Sequence, residues 1–417
     1  FRNPSGYSNG PKLGAGLEMQ KRTLLCGYMA GTNMMHDESD TNKLVSYFDY
    51  KTIDSIDPLV INLRDPKLYV SDFADLRAYI YDNIVKKRDR GTAITPVALL
   101  FDRYHGYVPI YSRSKVWEWF EPSEMEKTMW AMDETLYPRH PETESLRTSP
   151  YGDIFDVLTN DADTKMLDTY KVILPVGDVT IDKAFASRLV DYVRQGGTII
   201  LNVKNLPTGN LFPADFLGCE VTGKTAKSRR SFSFFDNKTV IENMPFTYQI
   251  IKPINAKTAA VTVTVERNPL ILVNGYGKGR VILTAPHYMK PRDSMTSMLK
   301  LFDNLMRAIR DEVLPLKVEG PMQYAINRNK NGWVISLFNH HGTPPKFHLS
   351  KFYVPNDPTQ VRQARITFPK ELGKVKQVID WWTGKDVPFK RNAKGTTLTT
   401  TLPGGDAKIL EFVIKKR

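Results

Sequence analysis

The sequence predicts a mixed α/β protein in which a flavodoxin-like domain is followed by a small all-β sandwich. Three observations carry this expectation. Buried strand-like runs alternate with helical periods up to about residue 316. A strand, helix and strand follow one another between residues 170 and 203 as a crossover unit. From about residue 320, short alternating runs separated by Gly, Pro, Asn and Asp replace the helical periods.

The elements follow in order. Residues 11–30, "PKLGAGLEMQKRTLLCGYMA", carry Leu13, Leu17, Leu24 and Tyr28 mostly on one helical face, with Pro11 suited to a first turn. "GTNMMHDES" reads as a Gly-marked turn, a short buried strand and a polar exit loop. A second helix covers "SDFADLRAYIYDNIVKKR", with Ser71 as its N-cap. "GTAIT" before Pro96 reads as a short linker, after which "PVALLFD" (96–102) opens a new alternation.

"YKVILPVGDVTI" (170–181) is a buried strand and loop, "DKAFASRLVDYVRQGG" (182–197) an amphipathic helix stopped by two glycines, and "TIILNV" (198–203) the next strand. "PLILVNGYGKGRVILTAP" (269–286) reads as a hairpin with a Gly-rich turn, and "RDSMTSMLKLFDNLMRAIRDEVL" (292–314) as a long helix. "GWVISLFNH", "FHLSKFYV", "QARITF", "KVKQVIDWW", "TTLTTTL" and "AKILEFVIKK" supply the strands of the sandwich.

Composition narrows the function. With 417 residues, the chain has material for two to four domains at about 100 to 200 residues each. A hydrophobic content of 41% and a charged content of 25% are those of an ordinary globular protein, and no run of about 18 apolar residues offers a membrane span. The opening "FRNPSGYSNG" has neither a basic nor an apolar signal region and reads as the interior of a longer protein.

Two cysteines, Cys26 and Cys219, are too few for a disulfide framework or a cysteine-based metal site. A formal charge of +13, from 58 basic and 45 acidic residues, favours a polyanionic partner, but no zinc-finger spacing or RNA-binding signature accompanies it. Nucleic acid is therefore not expected as a partner, and no cofactor is expected.

The order of a helix, the "NMMHDES" strand, "RGTAITPVALLFDRYHGY", "YKVILPVGDVTI", "LVDYVRQGGTIIL", "FLGCEVTGK" and "GYGKGRVILTAP" resembles the later part of large bacterial glycoside hydrolases of the β-galactosidase type related to family 42. The resemblance covers nearly the whole chain and rests on the order of elements. It implies three segments: residues 1–92 as the last part of a (β/α)8 barrel, 93–316 as a glutamine-amidotransferase-like (flavodoxin-like) trimerisation domain, and 317–417 as an all-β sandwich.

It also implies that "TNMMHDES" is the eighth barrel strand. The acid/base and nucleophile carboxylates then stand at the ends of the fourth and seventh strands, before Phe1. A carbohydrate substrate, acidic or sulfated given the net charge, a homo-oligomer in the form of a trimer, and a secreted or periplasmic location complete the expectation.

Two clusters are candidate substrate sites. Glycoside hydrolysis needs two carboxyl groups about 5 to 10 Å apart across the scissile bond. Asp37 and Glu38 are adjacent, so on a strand they face opposite sides and make a poor catalytic pair. His36 and Glu38 share a face; they either line a sugar site at a strand end or, with Asp37, form an acidic cluster that caps the next helix.

In "FDRYHGYVPIY" and "VWEWF", the aromatics Tyr104, Tyr107, Trp117 and Trp119 either stack on sugar rings, with Asp102 and His105 binding hydroxyls, or pack an interface.

Rival readings fare less well. A cysteine amidotransferase would use His287 in "ILTAPHYMK", but the turn after "TIILNV" reads "KNLPTG", Cys219 has no strand-to-helix elbow and Cys26 lies inside a predicted helix. "GYGKGR" lacks the Walker A pattern and reads as a turn. Adjacent His340 and His341 diverge on a strand, and Trp381-Trp382 reads as sandwich core more readily than as a sugar platform. A non-catalytic carbohydrate-binding or oligomerisation module remains compatible with the composition.

Overall fold

The computed structural model describes residues 17–32, 45–46, 69–70, 72–103, 136–137, 149–177, 179–207, 209, 211–229, 231–234, 238–242, 245–263, 266–286, 300–342 and 357–415. The chain is mixed α/β and rich in sheet. It divides into two compact units. Unit 1 takes Phe1–Ile94, Tyr137–Asp153 and Leu314–Arg417, and unit 2 takes Thr95–Leu136 and Ile154–Val313. Among the described residues, no helix is long and apolar enough to cross a membrane.

Unit 1 opens with helix α1 (Leu17–Met29). Arg22, Leu25, Cys26 and Met29 are buried at the three- and four-residue spacing of one helical face. The strand pair β1 (Val45–Ser46) and β2 (Tyr69–Val70) is followed by helix α2 (Asp72–Ile80), which runs on into a π-helical turn over Tyr81–Val85. The two predicted helices are thus present. The expected cap Ser71 lies outside the described residues.

β3 (Thr92–Ala93) corrects the expected linker at "GTAIT": it pairs with Asn327 and Arg328 as an edge strand, and Ile94 N continues the ladder to Ile326 O at 2.8 Å. A two-residue strand is too short to show an alternating pattern in sequence.

Unit 2 begins with β4 (Val97–Phe101), β5 (Phe155–Thr159), the short helix α3 (Thr164–Leu167) and β6 (Val172–Pro175). Helix α4 (Lys183–Gln195) follows. Asp182 caps it by accepting from Phe185 N at 2.7 Å, and Gly196, at φ +128°, ends it. β7 (Thr198–Asn202) completes the predicted crossover, and all of its residues are buried.

Next come β8 (Cys219–Lys227), β9 (Ser231–Phe234), β10 (Lys238–Ile241), β11 (Thr247–Pro253), β12 (Lys257–Thr262), β13 (Pro269–Tyr276) and β14 (Gly279–Thr284). β13 and β14 form the expected hairpin across Gly277 and Lys278. Helix α5 (Lys300–Val313) closes the unit; the expected helical residues 292–299 lie outside the described residues. The buried Glu242 carboxylate accepts from Lys300 N and Leu301 N, both at 2.9 Å, and so puts negative charge at the start of α5.

Nine strands of unit 2 form one sheet in the order β10-β9-β12-β13-β14-β7-β6-β4-β5, and β8 pairs with β11 apart from it. The five strands β5-β4-β6-β7-β14 are mutually parallel. Counted along the chain, their order is that of flavodoxin-like sheets, so the crevice between β4 and β6 is a topological switch point.

Back in unit 1, β15 (Lys317–Glu319), β16 (Gln323–Arg328), β17 (Gly332–Phe338), β18 (Arg362–Pro369), β19 (Val375–Asp380), β20 (Lys390–Asn392), β21 (Gly395–Leu402) and β22 (Ala407–Ile414) build two sheets. Their orders are β15-β18-β21-β20 and β19-β22-β17-β16-β3. Ile335, Leu337, Phe412, Ile366, Phe368 and Leu398 pack in one core drawn from both sheets.

The opposite face of the five-stranded sheet is covered as well. Val334, Phe338 and Ile409 pack with Leu25, Cys26 and Met29 of α1 and with Ile80 and Ile84. With both faces covered, all seven residues of β17 are buried, odd ones in the sandwich and even ones toward the helices.

Candidate functional site

His36, Asp37, Glu38, Tyr104, His105 and Trp117 lie outside the described residues, as do Tyr107, Trp119 and His287. The site that can be built atom by atom is the carboxyl end of the parallel sheet in unit 2, where such folds place ligands. Three of the parallel strands are followed by or end in a polar residue: β4 is followed by Asp102, β5 by Asn160, and the buried "TIIL" of β7 by Asn202.

Asp102 stands at the switch point and is 6% exposed. Its Oδ2 accepts from Thr180 N, in the loop after β6, at 2.8 Å and from Asn160 Nδ2 at 3.0 Å. Asn160 Nδ2 also donates to Thr180 O at 2.9 Å, and its Oδ1 accepts from Arg103 N at 3.1 Å. One carboxylate and one amide therefore join the ends of β4 and β5 to the loop beyond β6.

Asn202 holds the other side. Its Nδ2 reaches Thr284 Oγ1 at 3.0 Å and Pro286 O at 2.8 Å, and its Oδ1 accepts from Lys204 N at 3.0 Å. Asn205 Nδ2 donates to Gly177 O at 2.8 Å. Asn202, Asn205 and Thr284 are all buried. Buried polar groups need partners, and these supply them to one another.

The arrangement binds strand ends to loops. The turn where a nucleophile elbow would stand is a 3-10 turn, Val203–Asn205, capped by Asn202. Asp102 was read in sequence as a hydroxyl ligand or as part of an interface; in the structure its Oδ2 ties a backbone amide and a side-chain amide. Asn160, Thr180, Asn202 and Asn205 were missed; a polar residue directly after an apolar run was an available signal for Asn160 and Asn202, and Thr180 and Asn205 carried none.

The cysteines bear on the amidotransferase reading. Burial pushes the Cys219 thiol up to about 11, and burial, with Asp153 adding to it, pushes Cys26 well above the usual thiol range. Both remain protonated thiols at neutral pH, whereas nucleophilic catalysis requires a thiolate.

In unit 1, His340 Nε2 meets Gln323 Oε1 at 2.6 Å, while His341 Nε2 meets Pro321 O at 3.1 Å and its Nδ1 accepts from Arg362 at 3.1 Å. The adjacent histidines bond different partners, but they lie past the end of β17 at Phe338 rather than on a strand as expected, so strand alternation is not the cause. Trp381 is 1% exposed and donates from Nε1 to Glu411 Oε2 at 3.0 Å; it is a core residue, but in the layer between the five-stranded sheet and the helices rather than in the sandwich core expected. Trp382 is half-buried, with Lys21 Nζ 4.0 Å from its ring centre and the Tyr79 ring 4.7 Å away.

No protein-family model and no curated protein matches the chain. Among solved structures, α-L-fucosidase isoenzyme 2 from Paenibacillus thiaminolyticus aligns with 82% of this chain and 52% of its own, at 12% identity and a TM-score of 0.51. The β-galactosidase from Bacillus circulans sp. alkalophilus aligns at 17% identity and a TM-score of 0.45, over 82% of this chain and 44% of that one. A GH42 β-galactosidase from G. stearothermophilus aligns at 14% identity and a TM-score of 0.45, over 78% and 40%. The chain spans only about half, or less, of each of these proteins. At 12% identity the likeness to the fucosidase is one of fold alone.

Proposed function

We propose that this chain is the C-terminal portion of a glycoside hydrolase, β-galactosidase-like, acting on the O-glycosyl bonds of a poly- or oligosaccharide. The observation that carries the reading is the fold likeness to a solved fucosidase over 82% of this chain but only 52% of that protein. In this reading residues 1–92 end a (β/α)8 barrel, 93–316 form an amidotransferase-like trimerisation domain and 317–417 a β domain. The catalytic carboxylates precede Phe1, and His36, Asp37, Glu38, Tyr104, His105 and Trp117 contribute to the substrate site. The protein acts outside the cytoplasm as a homo-oligomer.

The mutually satisfied groups at the strand ends of unit 2 support a scaffolding role for that unit. They also favour the second reading, in which the chain is a carbohydrate-binding or oligomerisation module without its own turnover. Aryl-glycoside hydrolysis by this chain alone, compared with a longer polypeptide carrying a complete barrel, tests both. Turnover is expected only from the longer protein, and turnover by this chain alone overturns the upstream placement of the carboxylates. If neither hydrolyses but both bind polysaccharide, the module reading replaces the first.

The net charge of +13 favours an acidic or sulfated polymer. Its binding should weaken steeply as salt is raised from 0.05 to about 0.5 M, and salt-independent binding removes that preference.

A further inference from the structure

Segment 149–153 of unit 1 is held tightly. Tyr151 is fully buried, Tyr324 donates from its hydroxyl to Tyr151 O at 2.9 Å, and Asp153 N donates to Tyr324 O at 2.8 Å. Gly152, at φ +86°, lies so near the Tyr324 ring that a Cβ would come within 2.4 Å of it.

The side chain of Gln323 completes the hold. Its Nε2 donates to Asp153 Oδ2 at 2.6 Å, and its Oε1 lies 2.6 Å from His340 Nε2. An amide oxygen only accepts, so His340 carries a proton on Nε2. Cys26 Sγ of α1 lies 3.9 Å from the same Gln323 nitrogen. Four distant stretches of chain therefore meet at one side-chain amide.

The charges around this point are few. α1 brings the Cys26 thiol and the Arg22 guanidinium, which donates to Gly405 O; β16 brings the neutral Gln323; and the end of β17 brings His340, with His341 and Arg362 beyond it. The hydrogen bond to the Asp153 side chain comes from a neutral amide, and among the described residues no cation bonds to it. Burial therefore dominates and pushes the Asp153 carboxyl up to about 6, with the Gln323 bond and the positive charge of the amino terminus offsetting part of the rise.

We propose that Asp153, Gln323 and His340 form a proton-operated clasp on segment 149–153, closed while the Asp153 carboxyl is neutral and loosened when it ionises. On ionisation the proton passes to solvent, leaving one uncompensated charge among buried groups. In the open segment Asp153 regains an ordinary carboxyl, ionising near pH 4. The closed form thus binds more protons between about pH 4 and 6. Its advantage is full below pH 4, falls as pH rises through about 6, and is constant above that.

Hydrogen exchange of peptides covering 149–153 in the full chain, corrected for intrinsic rates, tests the clasp. The opening equilibrium is expected to be about tenfold larger at pH 8 than at pH 5. Asp153→Asn keeps an acceptor for Gln323 and cannot ionise, so it should abolish that difference and protect the segment at pH 8. Gln323→Leu removes the donor and should move the transition to higher pH. Equal protection at both pH values, or a pH dependence unchanged in Asp153→Asn, overturns the proposal. Titration of the Asp153 carboxyl by carbon NMR reads the same proton without any substitution; a midpoint in the ordinary carboxylate range also overturns it.

Discussion

Two regions of this protein place carboxylates at the seams between elements, Asp102 and Glu411 buried and Asp153 half-buried, and they differ in how well those charges are answered. At the strand ends of unit 2, Asp102 receives a backbone amide and a side-chain amide. In unit 1, Glu411 receives three donors, from Asn329 and Asn331, each at 2.9 Å, and from Trp381 at 3.0 Å, whereas the Asp153 side chain receives one. An acid at such a seam with several donors acts as a tie, while one with a single neutral donor responds to pH. Position in the fold matters less than the count of N–H groups.

The largest effect should come from Glu411→Leu. It leaves two asparagine amides and an indole N–H without their acceptor in the layer between sheet and helices, and should lower stability by about 3 kcal/mol or more. Chemical denaturation reads it, and a loss below about 1 kcal/mol breaks the comparison.

Asp102→Ala should cost about 2 kcal/mol by stranding Thr180 N and an Asn160 amide proton. A normal unfolding curve would mean that water enters the switch-point crevice freely. The smallest effect belongs to the part-exposed pair of Lys21 and Asp406, 2.6 Å apart. Lys21→Met keeps the stem over Trp382 and should cost about 1 kcal/mol or less, shrinking further in high salt. A larger loss would place that pair among the ties.

The crossover β6-α4-β7 was legible in sequence because its signals are local: Asp182 at the start, Gly196-Gly197 at the end, and a helical stripe between two buried runs. Of the strands from 317 onward, β17, β18, β19, β21 and β22 were legible for the same reason, whereas β15, β16 and β20 were not read and the expected strand "FHLSKFYV" lies outside the described residues. What covers β17 was not legible, because the contact between α1 and β17 joins residues some 300 positions apart and leaves no local trace.

The strand-end site was half legible. Asp102 stood out as an acid after an apolar run, but Asn160 and Asn202 look like ordinary turn residues until the parallel sheet brings them together. Asp153 gave no sign at all, since its behaviour depends on burial contributed by three other segments.

The doubly covered β17 has a practical corollary for anyone dissecting the molecule. A fragment excised at Leu314 would carry the sandwich away without residues 17–29 and 72–85, baring Val334, Phe338 and Ile409 as a sticky patch and stripping β16 of the neighbour that shields its edge. Such a piece should clump during expression, and grafting the N-terminal helices back should restore it to solution.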